Sequence, residues 1–170
     1  VLSSAAVAIG RSQRTRSLSI ATLAERLFQA GHATRVYEIN IPARREYMHL
    51  DTVFTVVDRG RVVAYPGVMD HVTEIVRYQP LVIGNQVRAV PVDEPRSFVA
   101  VLESEFDCSL EVIHTAGGKR GYADREQLAD ATNVFAIAPS KVITYDRGVH
   151  TNRALRDAGV EVIEIPGSEL

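Results

Sequence analysis

Apolar and polar positions along this chain switch between a strand-like and a helical period, and their succession predicts an α/β protein. Ala5 to Ile9 is a continuous apolar run of strand length, followed by the polar turn Gly10 to Arg16. Ile20, Leu23, Ala24, Leu27 and Phe28 then recur at helical spacing, with Ser17 or Ser19 as the expected cap and Gly31 as the stop. Arg35 to Ile41 returns to a strand pattern through Val36, Ile39 and Ile41, and Pro42 ends it. His49 to Val57, the turn Asp58 to Arg61, and Val62 to Tyr65 read as a hairpin. Residues 66–95 are broken by Pro80, Pro91 and Pro95 and read as loop with short strands at Pro80 to Ile83 and Val87 to Val92. A second helix over Arg96 to Phe106 sets Phe98, Val99, Leu102 and Phe106 on one face, and Ser109 to His114 is a strand. Asn133 to Ala138 and Lys141 to Tyr145 form another hairpin around Pro139 and Ser140. A helix over Thr151 to Ala158, a cap at Gly159 and a strand over Val160 to Ile165 complete the pattern.

Two internal matches make this succession a repeat. Val53 to Val57 with Val62 to Tyr65 parallels Val134 to Ala138 with Val142 to Tyr145. The first strand, the turn ending in Arg14 and Thr15, the helix, Gly31 and the strand running from Val36 to Pro42 parallel Val142 to Tyr145, Arg147 to Asn152, the later helix, Gly159 and Val160 to Pro166. Each unit reads strand, strand, helix, strand, and units of this kind bury one another's apolar faces around an axis. We expect a single domain over residues 1–170, an incomplete ring of such units, with apolar edges that favour self-association.

Composition narrows the partners. With 170 residues and 46% hydrophobic content the chain can bury an ordinary core. Its 19 basic and 21 acidic residues leave a formal charge of −2, so neither nucleic acid nor an anionic membrane is an expected partner. Cys108 is the single cysteine, which excludes an internal disulfide and fits a reducing, cytoplasmic compartment. Val1 to Gly10 is apolar without the basic leader of a signal peptide, and the start in strand-like sequence reads as a piece of a longer protein.

His49 and Asp51 are the candidate chemistry. In a strand, residues two apart face the same side, which presents an imidazole beside a carboxylate. Three readings of that pair are open on residues alone. It is a structural edge pair, a zinc site lacking the remaining ligands that a Cys pair or a second His would supply, or an acid and base pair acting on a cationic nitrogen substrate.

The run Met48-His49-Leu50-Asp51-Thr52-Val53-Phe54-Thr55, preceded by Ile39-Asn40-Ile41-Pro42, resembles the signature of the arginine deiminases. These belong to the guanidine-modifying superfamily, whose fold is a five-bladed α/β propeller of the pentein type. Ile9-Gly10 with Ser12-Gln13-Arg14-Thr15 resembles the family's Ser-Glu-Arg-Thr turn. Arg125-Glu126-Gln127 followed by Asp130 and Asn133 resembles its Arg-Glu-Gln and Asp-Gly-x-Asn pair, and Gly167-Ser168-Glu169-Leu170 resembles the segment before its catalytic loop.

The resemblance implies that His49 is the general acid and base, protonating departing ammonia and then activating water. It implies that Asp51 accepts hydrogen bonds from the substrate guanidinium and that Arg14 pairs with the α-carboxylate of L-arginine. The implied reaction converts L-arginine and water into L-citrulline and ammonia through a covalent thiouronium. No metal or organic cofactor is implied, and the full-length protein is expected to be a homo-oligomer.

Three departures qualify this expectation. The family's nucleophilic cysteine lies in a glycine-rich loop after the Gly-Ser-Glu-Leu segment, and no such loop occurs among these residues. Its Glu-Gly-Gly-Asp motif is likewise absent. The chain is therefore expected to be a central to C-terminal fragment that is inactive alone. Gln13 replaces the glutamate of the Ser-Glu-Arg-Thr turn. Cys108 lacks glycine-rich surroundings and is expected to be a partly buried filler. His32, His71, His114 and His150 match no motif, with His150 expected in a surface turn and His114 in a structural role. Arg125 and Glu126 are expected to form an ion pair ordering a loop. Two alternatives stay open: another guanidine-modifying hydrolase or amidinotransferase, and a non-catalytic arginine-binding paralogue, to which Gln13 points.

Overall fold

Residues 1–69, 72 and 74–167 are described by a computed structural model. His71 and the Ser168-Glu169-Leu170 part of the resemblance lie outside the described residues. The chain clusters into two units, Val1–His49 with Val72–Asp107 and Leu50–His71 with Cys108–Leu170.

The first unit is built on a four-stranded sheet. Strands β1 (Ala6–Arg11) and β2 (Arg35–Asn40) run parallel, joined by helix α1 (Ser17–Gln29). The buried side of α1 carries Ile20, Ala24 and Phe28, spaced four apart, against Ala33 and Val36, while Leu23 points away and is exposed. The helix stops as expected, with Gly31 at φ +71 beyond Ala30. Its expected serine cap is absent. Arg16 occupies the N-cap position without a side-chain cap bond, and the Ser17 hydroxyl donates to Glu38 at 2.7 Å.

Residues 66–95 depart most from the sequence expectation. After β3 (Phe54–Asp58), β4 (Arg61–Ala64) and the short helix α2 (Pro66–Met69), strands β5 (Ile75–Ile83) and β6 (Gln86–Asp93) form a long hairpin in place of a loop. The prolines mislead because they sit where no ladder bond is lost. Pro91 is on β6, the edge strand, and Pro80 lies past the segment Ile75 to Tyr78 that pairs with β2. Helix α3 (Phe98–Phe106) is capped by the Ser97 hydroxyl and buries Phe98, Val101, Leu102 and Phe106, so Val101 takes the place expected for Val99.

The second unit holds two three-stranded sheets, of β3 (Phe54–Asp58), β4 (Arg61–Ala64) and β7 (Glu111–His114), and of β8 (Phe135–Ala138), β9 (Lys141–Tyr145) and β10 (Glu161–Ile165). In each, an antiparallel hairpin is followed by a parallel strand, β7 beside β4 and β10 beside β9. The expected repeat is present, and both hairpins carry a register irregularity just before their turn, between Val56 and Asp58 and between Ala136 and Ala138. One detail is corrected. Thr55 is equivalent to Phe135 through their partners Val63 and Ile143, so the first strands match one residue away from their apolar alignment. Turn geometry sets hairpin register, and the apolar residues follow it. Val57, Val63, Ile113, Val134, Val142, Leu155 and Val160 form the shared core, with helix α5 (Val149–Asp157) covering it.

Cys108 is the filler expected. Its Sγ lies 2.7 Å from where a Cβ on Gly60 would stand, and Gly60 itself has φ +72 in the β3–β4 turn. Gly60→Ala should therefore cost about 2 kcal/mol from strain and overpacking together, read as a lower urea midpoint. Adding Cys108→Ala should recover part of that loss; no recovery would show that the sulfur contact is unimportant.

Candidate active site

The turn after β1 and the loop after β2 lie together at the carboxyl ends of this parallel pair, where open α/β sheets form their crevices. A cavity of about 530 Å³ opens there, lined by Arg11, Ser12, Thr15 and Arg16 on one side and Asn40 and Ile41 on the other. Ser12 N–H closes the turn on the Thr15 carbonyl at 3.1 Å, and its hydroxyl accepts the Arg14 N–H at 3.1 Å. The same hydroxyl donates to the Met48 carbonyl at 2.6 Å. Arg14 is exposed, and its guanidinium has no partner among the described residues. His49 is also exposed and sits in a bend, not in a strand.

Beneath the cavity lies a buried acidic centre. Glu38 accepts hydrogen bonds from Ser17 at 2.7 Å and Tyr78 at 2.9 Å, and its carboxylate lies 3.2 Å from Arg11 Nε. Arg11 also donates to Glu74 at 2.6 Å, which Asn40 reaches at 2.9 Å. Burial first, and the adjoining Glu38 carboxylate second, push the Tyr78 hydroxyl up to about 12. A parallel arrangement surrounds Glu105, which accepts from Arg35 through two bonds and from Tyr37 through one. Burial alone would raise the Glu105 carboxyl, but the bonds from Arg35 and Tyr37 outweigh it and hold it low; burial and Glu105 push Tyr37 up to about 12.

Asp51 belongs to the second unit. It lies in a 3-10 turn, Leu50–Thr52, that replaces the expected start of the strand. His49 and Asp51 are therefore not two positions on one face of a strand. Buried groups claim the backbone that a strand would have used. Gln127 Nε2 donates to the Thr52 carbonyl and Thr132 Oγ1 donates to the Asp51 carbonyl at 3.2 Å, while Val53 N–H closes on Leu50. The exposed carboxylate of Asp51 has no partner among the described residues and stays available to a cation.

The Arg-Glu-Gln segment proves structural in an unexpected way. It ends helix α4 (Arg120–Gln127), where a loop was expected, and Glu126 is buried. Its carboxylate accepts the His150 and Thr151 N–H groups and the Thr151 hydroxyl, which caps α5. His150 therefore lies in the first turn of a helix, its ring 4.1 Å from that of Tyr122. His114 ends β7, half-buried. Thr132 carries no sequence signal, and Ser12 and Gln127 appear there only as motif members without a role, because a hydroxyl or amide bonded to a distant carbonyl leaves no periodic signal. Among the described residues no group of three or more His, Cys, Asp or Glu side chains is placed to hold a metal, and no helix is long and apolar enough to cross a membrane.

Comparison with known proteins converges on one family. The family model described as arginine deiminase matches residues 1–170. Arginine deiminases of Oenococcus oeni, Latilactobacillus sakei and Mycoplasma capricolum are 35%, 39% and 35% identical to this chain across its whole length. The chain spans 41%, 42% and 41% of the length of those relatives. Among solved structures, the AgrE C264A mutant in binary complex with L-arginine aligns with 94% of this chain and 18% of that one, at a TM-score of 0.55 and 19% identity. SxtG, an amidinotransferase from Microseira wollei in the saxitoxin biosynthetic pathway, aligns with 94% of this chain and 38% of its own, at 0.58 and 18%. These two likenesses bear on the fold alone and assign the repeated units to part of a pentein-type α/β propeller.

Proposed function

Because the chain belongs to the arginine deiminase family, we propose that it supplies the arginine-recognising and proton-transferring part of an L-arginine hydrolase. The observation that carries this reading is the Ser12 bridge, which joins the turn bearing Arg14 to the peptide bearing His49 within one unit. Arg14 offers to the α-carboxylate a planar fork that has no partner among the described residues. Asp51 accepts from the guanidinium and holds its central carbon for attack. His49 protonates the leaving ammonia and then takes a proton from the water that hydrolyses the thiouronium, so arginine and water yield citrulline and ammonia. The thiolate that forms and releases that intermediate is not Cys108, which is packed beneath the Gly60 turn. A polypeptide of residues 1–170 is therefore proposed to bind arginine without turning it over. A cytoplasmic setting and a homo-oligomeric full-length protein belong to the same proposal.

Calorimetric titration of L-arginine into residues 1–170 tests it. Binding is expected, and Arg14→Ala should weaken it roughly thirtyfold, the worth of a charge-assisted bidentate contact. Asymmetric dimethylarginine should bind less well than arginine. A preference for the methylated compound would favour another guanidine-modifying activity. Citrulline released by these residues and lost in His49→Ala would overturn the proposed lack of turnover.

A further inference from the structure

We propose that Ser12 and Gln13 are positioning residues that lock the Arg14 turn to the loop carrying His49, setting the separation of these two groups before substrate arrives. The proposal rests on the arginine-binding reading above. The Ser12 hydroxyl is used in both directions: it accepts from the Arg14 N–H at 3.1 Å and donates to the Met48 carbonyl at 2.6 Å. That carbonyl belongs to the peptide unit whose nitrogen is that of His49, so the bond restrains rotation of the linkage from which the imidazole hangs. A single side chain thus ties the backbone of one substrate-facing residue to that of another, 35 positions apart by subtraction of 14 from 49.

Gln13 supplies a second tie to the same loop. Its Nε2 donates to the Ala43 carbonyl at 2.8 Å. The glutamate of the Ser-Glu-Arg-Thr turn has no proton to donate when ionised, and its carboxylate would face that carbonyl oxygen across the same gap. Gln13 therefore does more than lack a charge beside Arg14; it supplies a bond that an ionised glutamate held in the same place could not donate. Backbone bonds from Arg44 to Pro42 and from Tyr47 to Arg44 shape the loop internally without reaching the Arg14 turn. Ile41 and Tyr47 anchor its two ends by burial. The Ile41 N–H bonds the Arg11 carbonyl at 3.1 Å at the loop's start, and Ser12 and Gln13 add side-chain ties from the turn itself; all of these residues lie in one unit.

Amide hydrogen exchange by NMR, run beside arginine titration on residues 1–170, tests the lock. Ser12→Ala is expected to raise exchange of the Arg14 amide roughly tenfold and to weaken arginine binding roughly fivefold, the worth of a neutral hydrogen bond. Exchange within α1 should stay unchanged. Ser12→Thr retains the hydroxyl and should restore both values, and Gln13→Glu should shift the amide resonances of residues 43–48. Unaltered Arg14 exchange and unshifted His49 resonances in Ser12→Ala overturn the lock whatever the titration gives. Altered exchange with unchanged arginine affinity overturns the positioning role. A parent chain that shows the exchange pattern yet binds no arginine supports the lock and refutes the functional reading.

Discussion

Glu126→Ala is expected to destabilise the second unit by about 3 kcal/mol, because one buried carboxylate holds the start of α5. Glu126 is 5% exposed and accepts the His150 N–H at 2.7 Å, the Thr151 N–H at 2.9 Å and the Thr151 hydroxyl at 2.7 Å. The N–H groups of a first helical turn have no partner within the helix, and a negative charge placed there is also favoured by the helix dipole. Thr151 passes the constraint on, since its hydroxyl oxygen accepts the Ala116 N–H at 2.9 Å. Alanine removes every acceptor and strands these donors in the interior. Glu126→Gln keeps the shape but turns an amide donor toward a donor, so it should recover less than half of the loss. Urea unfolding followed by circular dichroism measures both. A loss under about 1 kcal/mol for alanine would mean that water replaces the carboxylate and that the cap is dispensable.

The second large effect is alkaline. Tyr37 is 1% and Tyr78 5% exposed, and burial together with a neighbouring carboxylate pushes each hydroxyl up to about 12. A raised folded value means that the unfolded chain ionises first, near the ordinary value of about 10. The stability held by the neutral phenols is complete below about pH 10 and is lost as pH rises toward 12. By linkage the two groups together cost the first unit about 5 kcal/mol across that interval. Thermal midpoints measured between pH 8 and 11.5 should fall steeply above 10. The double variant Tyr37→Phe with Tyr78→Phe should be less stable at pH 8, having lost donors to Glu105 and Glu38, and should show a shallower alkaline decline. An equally steep decline in that variant would assign the alkaline sensitivity elsewhere.

Both cases rest on side chains whose importance a linear reading understates. Glu126 was legible as part of a motif, yet the ion pair expected with Arg125 is not its role. A residue's sequence neighbour is the obvious partner, whereas its carboxylate reaches the N-terminus of α5, 24 residues away. Tyr37 and Glu38 show the same limit: the pattern of β2 predicted burial of Val36 and Ile39, but four consecutive residues, Val36 to Ile39, are buried. One face of β2 meets α1 and the core, and the polar residues are accepted inside because Ser17 and Tyr78 donate to Glu38 and Tyr37 donates to Glu105.

What the sequence by itself determined is the succession of elements outside residues 66–95 and 120–127, the repeat and the family. Strands β1, β2, β4, β7, β9 and β10 and helices α1, α3 and α5 all fall where periodicity and glycine stops place them, because these are local consequences of covalent geometry and apolar spacing. Tertiary structure alone decided the rest. It made a hairpin of Ile75–Ile83 and Gln86–Asp93 despite prolines, since an edge strand tolerates a missing donor. It replaced the expected strand at Asp51 by a turn, because Gln127 and Thr132 bind carbonyls that a strand would have paired. It also gave Ser12 and Gln13 their meaning, for a hydrogen bond to a carbonyl dozens of residues away depends on where the fold carries that carbonyl.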